Sequence, residues 1–389
     1  MSTFTHGFLG QLCALAGARR NRLMLLLFLA AAVLSAATYR RGVLRDLPVA
    51  VLHEDGTGLS RMLLRAIDAT PELALAEPPA TLEAAQTALI RGDLVAVVLI
   101  PDGFTAALKR GRRAEVLVAA DLSNILSGKT AQRAVAKVLA TAAAGAQVSL
   151  VEKLGTPPDR ALAKVMPIAV TEALADNPGT SFAPYVAPGF AFFFLHVLTL
   201  FLAWSVLWPA APGRPLADTL GRFAAMLAVA LALGLVTTYA ILGGLDGLWP
   251  ATPAPLVAGV LLAFLAADLL FAWALCAIFR SGLLGFQATV LLGMLSLMIS
   301  GLTWPWDAIP APLRAVAVAV PFTPFARALR LFLPGPAGAA DLLRPLAWLG
   351  LQCAAALGVI AAAAILEPLG ARLGTRLLAR REARQRRLA

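Results

Sequence analysis

The stretch "ISGLTWPWDAIPAPLRAVAVAVPFTPFARALR" covers residues 299–330. It begins as the end of an apolar run and never resumes one. Pro305, Pro310, Pro312, Pro321 and Pro324 cut it into short pieces, and Trp304 and Trp306 flank the first break. A bilayer crossing needs about 20 mainly apolar residues, so none of these pieces can span. Proline removes a backbone donor and ends or kinks a helix, which predicts two broken, half-apolar helices. Irregular backbone at membrane depth is tolerated only where protein or a cavity covers it. The stretch therefore belongs to a membrane protein, at a place where the chain dips in and turns back.

Composition agrees. The chain of 389 residues is 59% hydrophobic and 14% charged, against about 45–50% and about 25% in soluble domains. The net charge of +11 does not indicate nucleic acid, because the arginines flank apolar segments instead of covering one soluble face. Cys13, Cys276 and Cys353 are odd in number and lie in apolar or near-membrane stretches; their spacing fits neither a disulfide framework nor a zinc site.

Six stretches reach or approach spanning length: roughly 23–39, 185–208, 223–242, 256–279, 283–303 and 346–366. Between the first two lie about 145 residues of soluble character that hold all the lysines. The predicted fold is an α-helical integral membrane protein with six transmembrane helices, arranged one plus five, and an α/β domain inserted after the first. Arg19, Arg20, Arg22, Arg214, Arg222 and Arg280, with seven arginines from Arg372 to Arg387, then fall on one side. The positive-inside rule makes that side the cytoplasm. Arg40, Arg41 and Arg45 break the pattern, but they precede a long domain, and long domains translocate largely regardless of charge. Both termini are expected in the cytoplasm of a bacterial inner membrane, with residues 46–183 and the quoted stretch outside.

Residues 23–37 resemble a signal-peptide core ending in a small-x-small site at Ser35 and Ala37. The 22 residues before it are long for such a leader, and Phe4, Phe8, Leu12 and Leu15 recur at helical spacing. Residues 1–22 read as an amphipathic helix on the inner leaflet, residues 23–45 as a retained first span, 184–367 as a five-helix domain with re-entrant helices at 304–333, and 368–389 as a basic cytoplasmic tail.

The outer domain reads as α/β. "LPVAVLHE" (47–54), "LVAVVLIP" (94–101) and "AEVLVAAD" (114–121) alternate with helical patterns at 58–69, 82–91 and 103–110. Near-continuous apolar strands between helices indicate a sheet covered on both faces. Asp55-Gly56 and Gly92-Asp93 supply turns, Gly111 is placed to end a helix, and a long helical stretch follows at 128–154. "SNILSGKT" (123–130) imitates a phosphate-binding loop, with Gly128, Lys129 and Thr130 in place. That loop needs Gly-x-x-x-x-Gly-Lys-Ser/Thr, and position 123 is Ser. The stretch reads as a turn with a polar helix start, and no other catalytic constellation is present in the sequence. No catalytic residue, cofactor or metal is expected on this chain.

Ionisable groups inside spans require a reason. His196 sits in "FAFFFLHVLTLF" and Asp268 in "LLAFLAADLLFAW". Two readings remain open: a proton or substrate site, or hydrogen bonds to each other or to neighbouring helices that orient the bundle.

The quoted stretch resembles the C-terminal signature of ABC-2 type export permeases. Ser300, Gly301, Pro305, Pro310, Pro321, Thr323 and Arg330 fall on it. Residues 46–73, 91–104 and 176–190 are similar to further blocks of the branch with a long outer domain. The resemblance implies a permease that binds separate cytoplasmic ATPase subunits, which carry the Mg-ATP, and works as a homodimer or heterodimer. It implies an outer gate at Trp304, Pro305, Trp306, Pro310 and Pro321, and a possible adaptor on the far side. Family members often carry an acidic E-x-G-T element in the loop after the second span. Here that loop is only "PAAPGRPLADTLGR" (209–222). Coupling to the ATPase is then expected from the N-terminal helix and from Arg214, Asp218 and Arg222, or the chain is one half of a heterodimer. An ion-coupled carrier using His196 and Asp268 is one alternative, and a non-transporting envelope receptor or scaffold is another.

Overall fold

A computed structural model describes residues 2–39, 44–110, 112, 114–153, 155–157, 160, 165, 183–207, 214–279, 282–333 and 337–388, with side chains of 150, 183–185, 205–207, 246, 282 and 367–388 excepted. Arg40, Arg41, Gly111, Arg280 and the stretches 176–182 and 209–213 singled out above lie outside the described residues. The chain divides into two compact units, Met1–Gly42 with Ser181–Ala389, and Val43–Thr180.

The first unit is helical. Helix α1 (Thr3–Gly17) is capped by Ser2, whose hydroxyl accepts the Thr5 N–H, and one extended residue, Ala18, separates it from α2 (Arg19–Tyr39). Asn21 closes the corner by donating to the Ala14 carbonyl. Helix α7 (Ala183–Leu207) follows the second unit. Helix α8 (Leu216–Leu235) continues as a π-helical segment, Val236–Gly243. Helices α9 (Ala254–Ile278) and α10 (Gly282–Ile299) come next, then a 3-10 turn at Trp306–Ala308, the short α11 (Ala311–Ala319) and α12 (Phe322–Phe332), and α13 (Ala339–Leu388).

Between helices already surrounded by apolar atoms, close packing decides contacts, and small residues let backbones approach. Helix α2 buries Phe28, Ala32 and Ala36, α7 buries Ala187 and Ala191, and the two pack together with Ser35 donating to the Ala187 carbonyl. Helix α9 is apolar on every side and touches α7, α8, α10, α12 and α13. A helix hydrophobic all round belongs at the centre of a bundle.

Six helices among the described residues are long and apolar enough to cross a membrane: Arg19–Thr38, Ile125–Lys153, Val186–Trp204, Leu216–Gly243, Ala254–Ile278 and Ala339–Leu366. Five coincide with expected spans. The expected span at 283–303 instead has its apolar helix at Leu283–Ile299, shorter than these six. Its place among the six is taken by the long helix of the second unit.

That unit carries a four-stranded sheet in the order β2-β1-β3-β4. Its strands are β1 (Leu47–His53), β2 (Leu73–Leu75), β3 (Ala96–Ile100) and β4 (Leu117–Ala120). β1 pairs parallel with β2 and β3, and β4 runs antiparallel to β3. Val49, Val51, Ala96, Val98 and Ile100 face one core with Leu63 and Ile67 of α3 (Gly58–Asp68) and Ala131, Ala134 and Val135 of α6 (Ile125–Lys153). Ala50 and Val97, alternating with them, face Ala85 of α4 (Leu82–Arg91). Period-two alternation puts neighbours on opposite faces, so both faces are covered. Asp55, just past β1, accepts the Thr105 N–H at 3.2 Å and its hydroxyl at 2.6 Å, which fixes α5 (Phe104–Lys109) against the sheet. The hydroxyl of Thr105 first, then that of Thr57, holds the Asp55 carboxyl below the ordinary carboxylate range.

Candidate functional site

Helix α1 lies along the start of α8. Its buried stripe is Gly7, Gln11 and Leu15, one turn apart, while Phe4 is exposed and Phe8 and Leu12 are half-buried. The apolar face read from the sequence is therefore mostly not the docking face. Two glycines permit the contact. A Cβ on Gly7 would stand 2.2 Å from the Asp218 carbonyl oxygen, and one on Gly221 2.2 Å from the Phe4 carbonyl oxygen. Both obstacles are backbone, so neither position accepts a larger residue without parting the helices.

Asp218 is the hub of this joint, at 7% exposure. Its carboxylate accepts from Arg222 Nε at 2.8 Å and pairs with Arg214 Nε at 3.6 Å and His6 Nδ1 at 3.4 Å. Arg222 also donates to Gln11 Oε1 at 3.4 Å. Arg214, Asp218 and Arg222 thus come together, and two side chains of α1 join them. A carboxylate accepting from a guanidinium is among the stronger directional contacts. Here it ties the N-terminal helix to the base of α8.

The quoted stretch forms a bent pair. Helices α11 and α12 meet at 82° across Val320 and Pro321. Helix α10 ends at Ile299, and Gly301 takes φ +83°, a conformation that costs a glycine no Cβ clash. Arg330 of α12 then donates to the Gly301 and Leu302 carbonyls at 2.7 and 2.9 Å, satisfying acceptors that the helix end leaves open. Trp304 and Pro310 are exposed, Trp306 is half-buried and Pro321 is buried. The Arg327 guanidinium lies 4.7 Å from the Trp306 ring centre and 5.1 Å from that of Trp348 on α13. Trp348 Nε1 and Gln352 Nε2 both donate to the Val318 carbonyl, at 3.1 and 2.7 Å.

The two halves of the pair differ. Helix α11 leaves Leu313, Val316 and Val318 exposed. Helix α12 drives Phe322, Phe325 and Phe332, all fully buried, into the bundle. Phe325 stacks on Phe264 of α9 at 3.9 Å and meets Phe192 of α7 edge-on at 5.0 Å.

His196 and Asp268 sit beneath this aromatic layer. Nδ1 and Oδ1 lie 2.7 Å apart, both side chains are 0% exposed, and the imidazole is 5.3 Å from the Phe322 ring. His196 Nε2 and Asp268 Oδ2 have no hydrogen-bond partner among the described residues. The pair joins α7 to α9 directly under the bent pair.

Residues 23–362 match the family described as "ABC-2 family transporter protein". This chain belongs to the ABC-2 transporter family. It is a multi-pass membrane permease of an ABC transporter, and its partner is an ABC ATPase subunit. No curated protein and no solved structure matches it.

In this permease the "SGKT" stretch begins a helix. Asp121 accepts the Ser123 N–H and hydroxyl, both at 2.8 Å, and those bonds, backbone first, lower its carboxyl below the ordinary range. Asn124 accepts the N–H groups of Leu126 and Ser127, capping α6. A Cβ on Gly128 would come within 2.0 Å of the Asp121 carbonyl oxygen, so the glycine serves the tight approach of turn and helix. Among the described residues Lys129 reaches Gln132, at 3.3 Å, and is exposed. Lys129→Ala is therefore expected to leave ATP hydrolysis by the permease–ATPase complex within about twofold of the parent, since exposed substitutions away from special features cost within about 0.5 kcal/mol. Phosphate release by the purified complex measures this, and a large loss would return "SGKT" to the list of nucleotide sites.

Arg327 and Trp348 were not legible as partners, because a cation over two rings from different segments leaves no local pattern. Gly7 and Gly221 carried no periodic signal either.

Proposed function

We propose that this permease is half of an ATP-driven exporter in the bacterial inner membrane, working as a dimer with two cytoplasmic ATPase subunits. The carrying observation is the bent pair, a largely exposed helix and a largely buried one, tied to the turn after α10 by Arg330 and to α13 by Trp348 and Gln352. Such an element plugs one end of a pathway instead of crossing the membrane. Trp304, Pro305, Trp306, Pro310 and Pro321 shape this outer gate. ATP-driven closure of the ATPases would tilt the bundles and open a path between the two permeases, and the joint of α1 with Asp218 and Arg222 on α8 and Arg214 just before it would receive that force. Mg-ATP binds the partner subunits. The second permease is either an identical copy or a related chain, and a periplasmic adaptor takes substrate onward.

The proposed topology is one helix, an outer domain at 46–183, then five helices, with both termini cytoplasmic. Helix α6 competes for a place among the spans. Its first half closes the sheet core through Ala131, Ala134 and Val135, and only 14 uncharged residues separate Lys137 from Glu152. A crossing needs at least about 17. The apolar helix Leu283–Ile299 of α10, 17 residues, reaches about 25 Å at 1.5 Å each, a shortfall that modest bilayer thinning or flanking residues accommodate.

Co-expression with a neighbouring ATPase and reconstitution tests the function: vanadate-sensitive export requiring both subunits is expected, and a chain that purifies without any ATPase and moves substrate on an ion gradient overturns it. Topology has its own measurement. With Cys13, Cys276 and Cys353 replaced, a single cysteine at Ala80 should react with impermeant maleimide in intact cells, and one at Arg384 only after lysis. Labelling of both from outside would refute the arrangement.

A further inference from the structure

The second unit holds a cavity of about 250 Å³. Leu59 and Leu63 of α3, Phe104 and Leu108 of α5, and Leu139 and Ala142 of α6 form much of its wall, and all ten lining residues are apolar. An engineered apolar void of about 150 Å³ already takes up benzene, so this space is ample for a hydrocarbon. Its size comes from small side chains. Ala142, Ala143 and Ala146 line the α6 side, where leucines would close it. Ala143 is exposed in its wall, so the cavity opens at the surface of the unit, and apolar area left facing water there favours an apolar occupant.

The rim says what enters. Leu108 and Ala114 both line the cavity, and the sequence between them reads Lys-Arg-Gly-Arg-Arg over 109–113. Lys109, Arg110 and Arg112 are exposed there, three cations against two acids, Glu115 next in sequence and Asp55, whose carboxylate Lys109 helps to stabilise. An apolar hole beside a cluster of cations matches a molecule with one hydrocarbon chain and an anionic head. A ligand with two polar ends would leave one unpaired inside, which costs free energy. A neutral or cationic head would gain nothing from the cations or be repelled by them.

We propose that this cavity is a binding site for a single-chain anionic amphiphile, the chain between α3, α5 and α6 and the head at Lys109, Arg110 and Arg112. The inference rests on this unit alone and not on the transport reading. Carboxylate and phosphate monoester heads share the required chemistry.

The test uses the full chain in discs of a zwitterionic diacyl lipid and a dodecanoic acid analogue bearing a diazirine near the chain end. Illumination should label peptides containing Leu59–Leu63, Phe104–Leu108 or Leu139–Ala146. Dodecanoate and dodecyl phosphate should both compete, and dodecyltrimethylammonium should compete at least about tenfold less well, a difference of about 1.4 kcal/mol. Competition by dodecanoate alone would assign a carboxylate head, and by dodecyl phosphate alone a phosphate one. Ala143→Phe with Ala146→Phe, filling the space, should abolish labelling. Lys109→Glu with Arg112→Glu alters exposed side chains; with a circular dichroism spectrum matching the parent, it should remove the preference for anionic competitors. Labelling confined to other helices, or unchanged preference in the charge variant, overturns the proposal. So does equal competition by the cationic and anionic chains.

Discussion

Gly221→Leu is expected to stop export while leaving the permease inserted and bound to its lipids. The leucine Cβ would stand on the Phe4 carbonyl oxygen at 2.2 Å, with the Phe8 amide nitrogen at 2.8 Å. Backbone cannot step aside there as a flexible side chain could, so α1 must leave α8. Arg222→Glu reaches the same end by charge. It exchanges the 2.8 Å bond to Asp218 for two carboxylates one helical turn apart, an arrangement that destabilises helices. It also removes the donor to Gln11. If α1 transmits the ATPase stroke, each change should reduce vanadate-sensitive export by at least about tenfold, equivalent to about 1.4 kcal/mol of barrier. Trypsin should then cut at Arg19 and Arg20 faster than in the parent. Deleting residues 380–389 should cost much less, because a run of arginines suits anionic headgroups at about 1 kcal/mol per residue. Should the tail deletion uncouple export while Gly221→Leu does not, the docking surface lies elsewhere.

His196→Leu should be the most destabilising single change in the bundle. It leaves the Asp268 carboxylate without its partner at 0% exposure, and breaking a buried pair in this way costs about 3–5 kcal/mol. Asp268→Leu should cost less, about 1–3 kcal/mol, since it strands one further hydrogen-bonding atom of the imidazole. The double variant should recover most of the loss, because apolar groups of similar volume satisfy the site without desolvating charge. Unfolding of the reconstituted permease by graded denaturing detergent measures all three. Export separates the two roles that the sequence left open. A pin between α7 and α9 predicts that the double variant still transports; a stable double variant that cannot export would make the pair part of the pathway and favour an ion-coupled mechanism.

The sequence by itself determined the class of protein, most of its spans and the existence of the bent pair. Those properties rest on local rules. Twenty apolar residues in a row can go nowhere but a membrane, and five prolines within residues 299–330 cannot make one straight helix. Strands β1, β3 and β4 lie within the valine-rich runs at 47–54, 94–101 and 114–121, whereas β2, with three residues, is too short to leave a pattern and exists only because β1 offers it an edge. Tertiary structure alone decided what meets what. The pairing of His196 with Asp268 spans 72 positions, and Asp218 could have faced an ATPase until α1 was seen to supply His6 beside it. The face on which α1 docks is set by Gly7 and Gly221, residues whose contribution is the absence of a side chain. Such contacts depend on how closely two backbones can approach in space, and no periodicity along one chain records that distance.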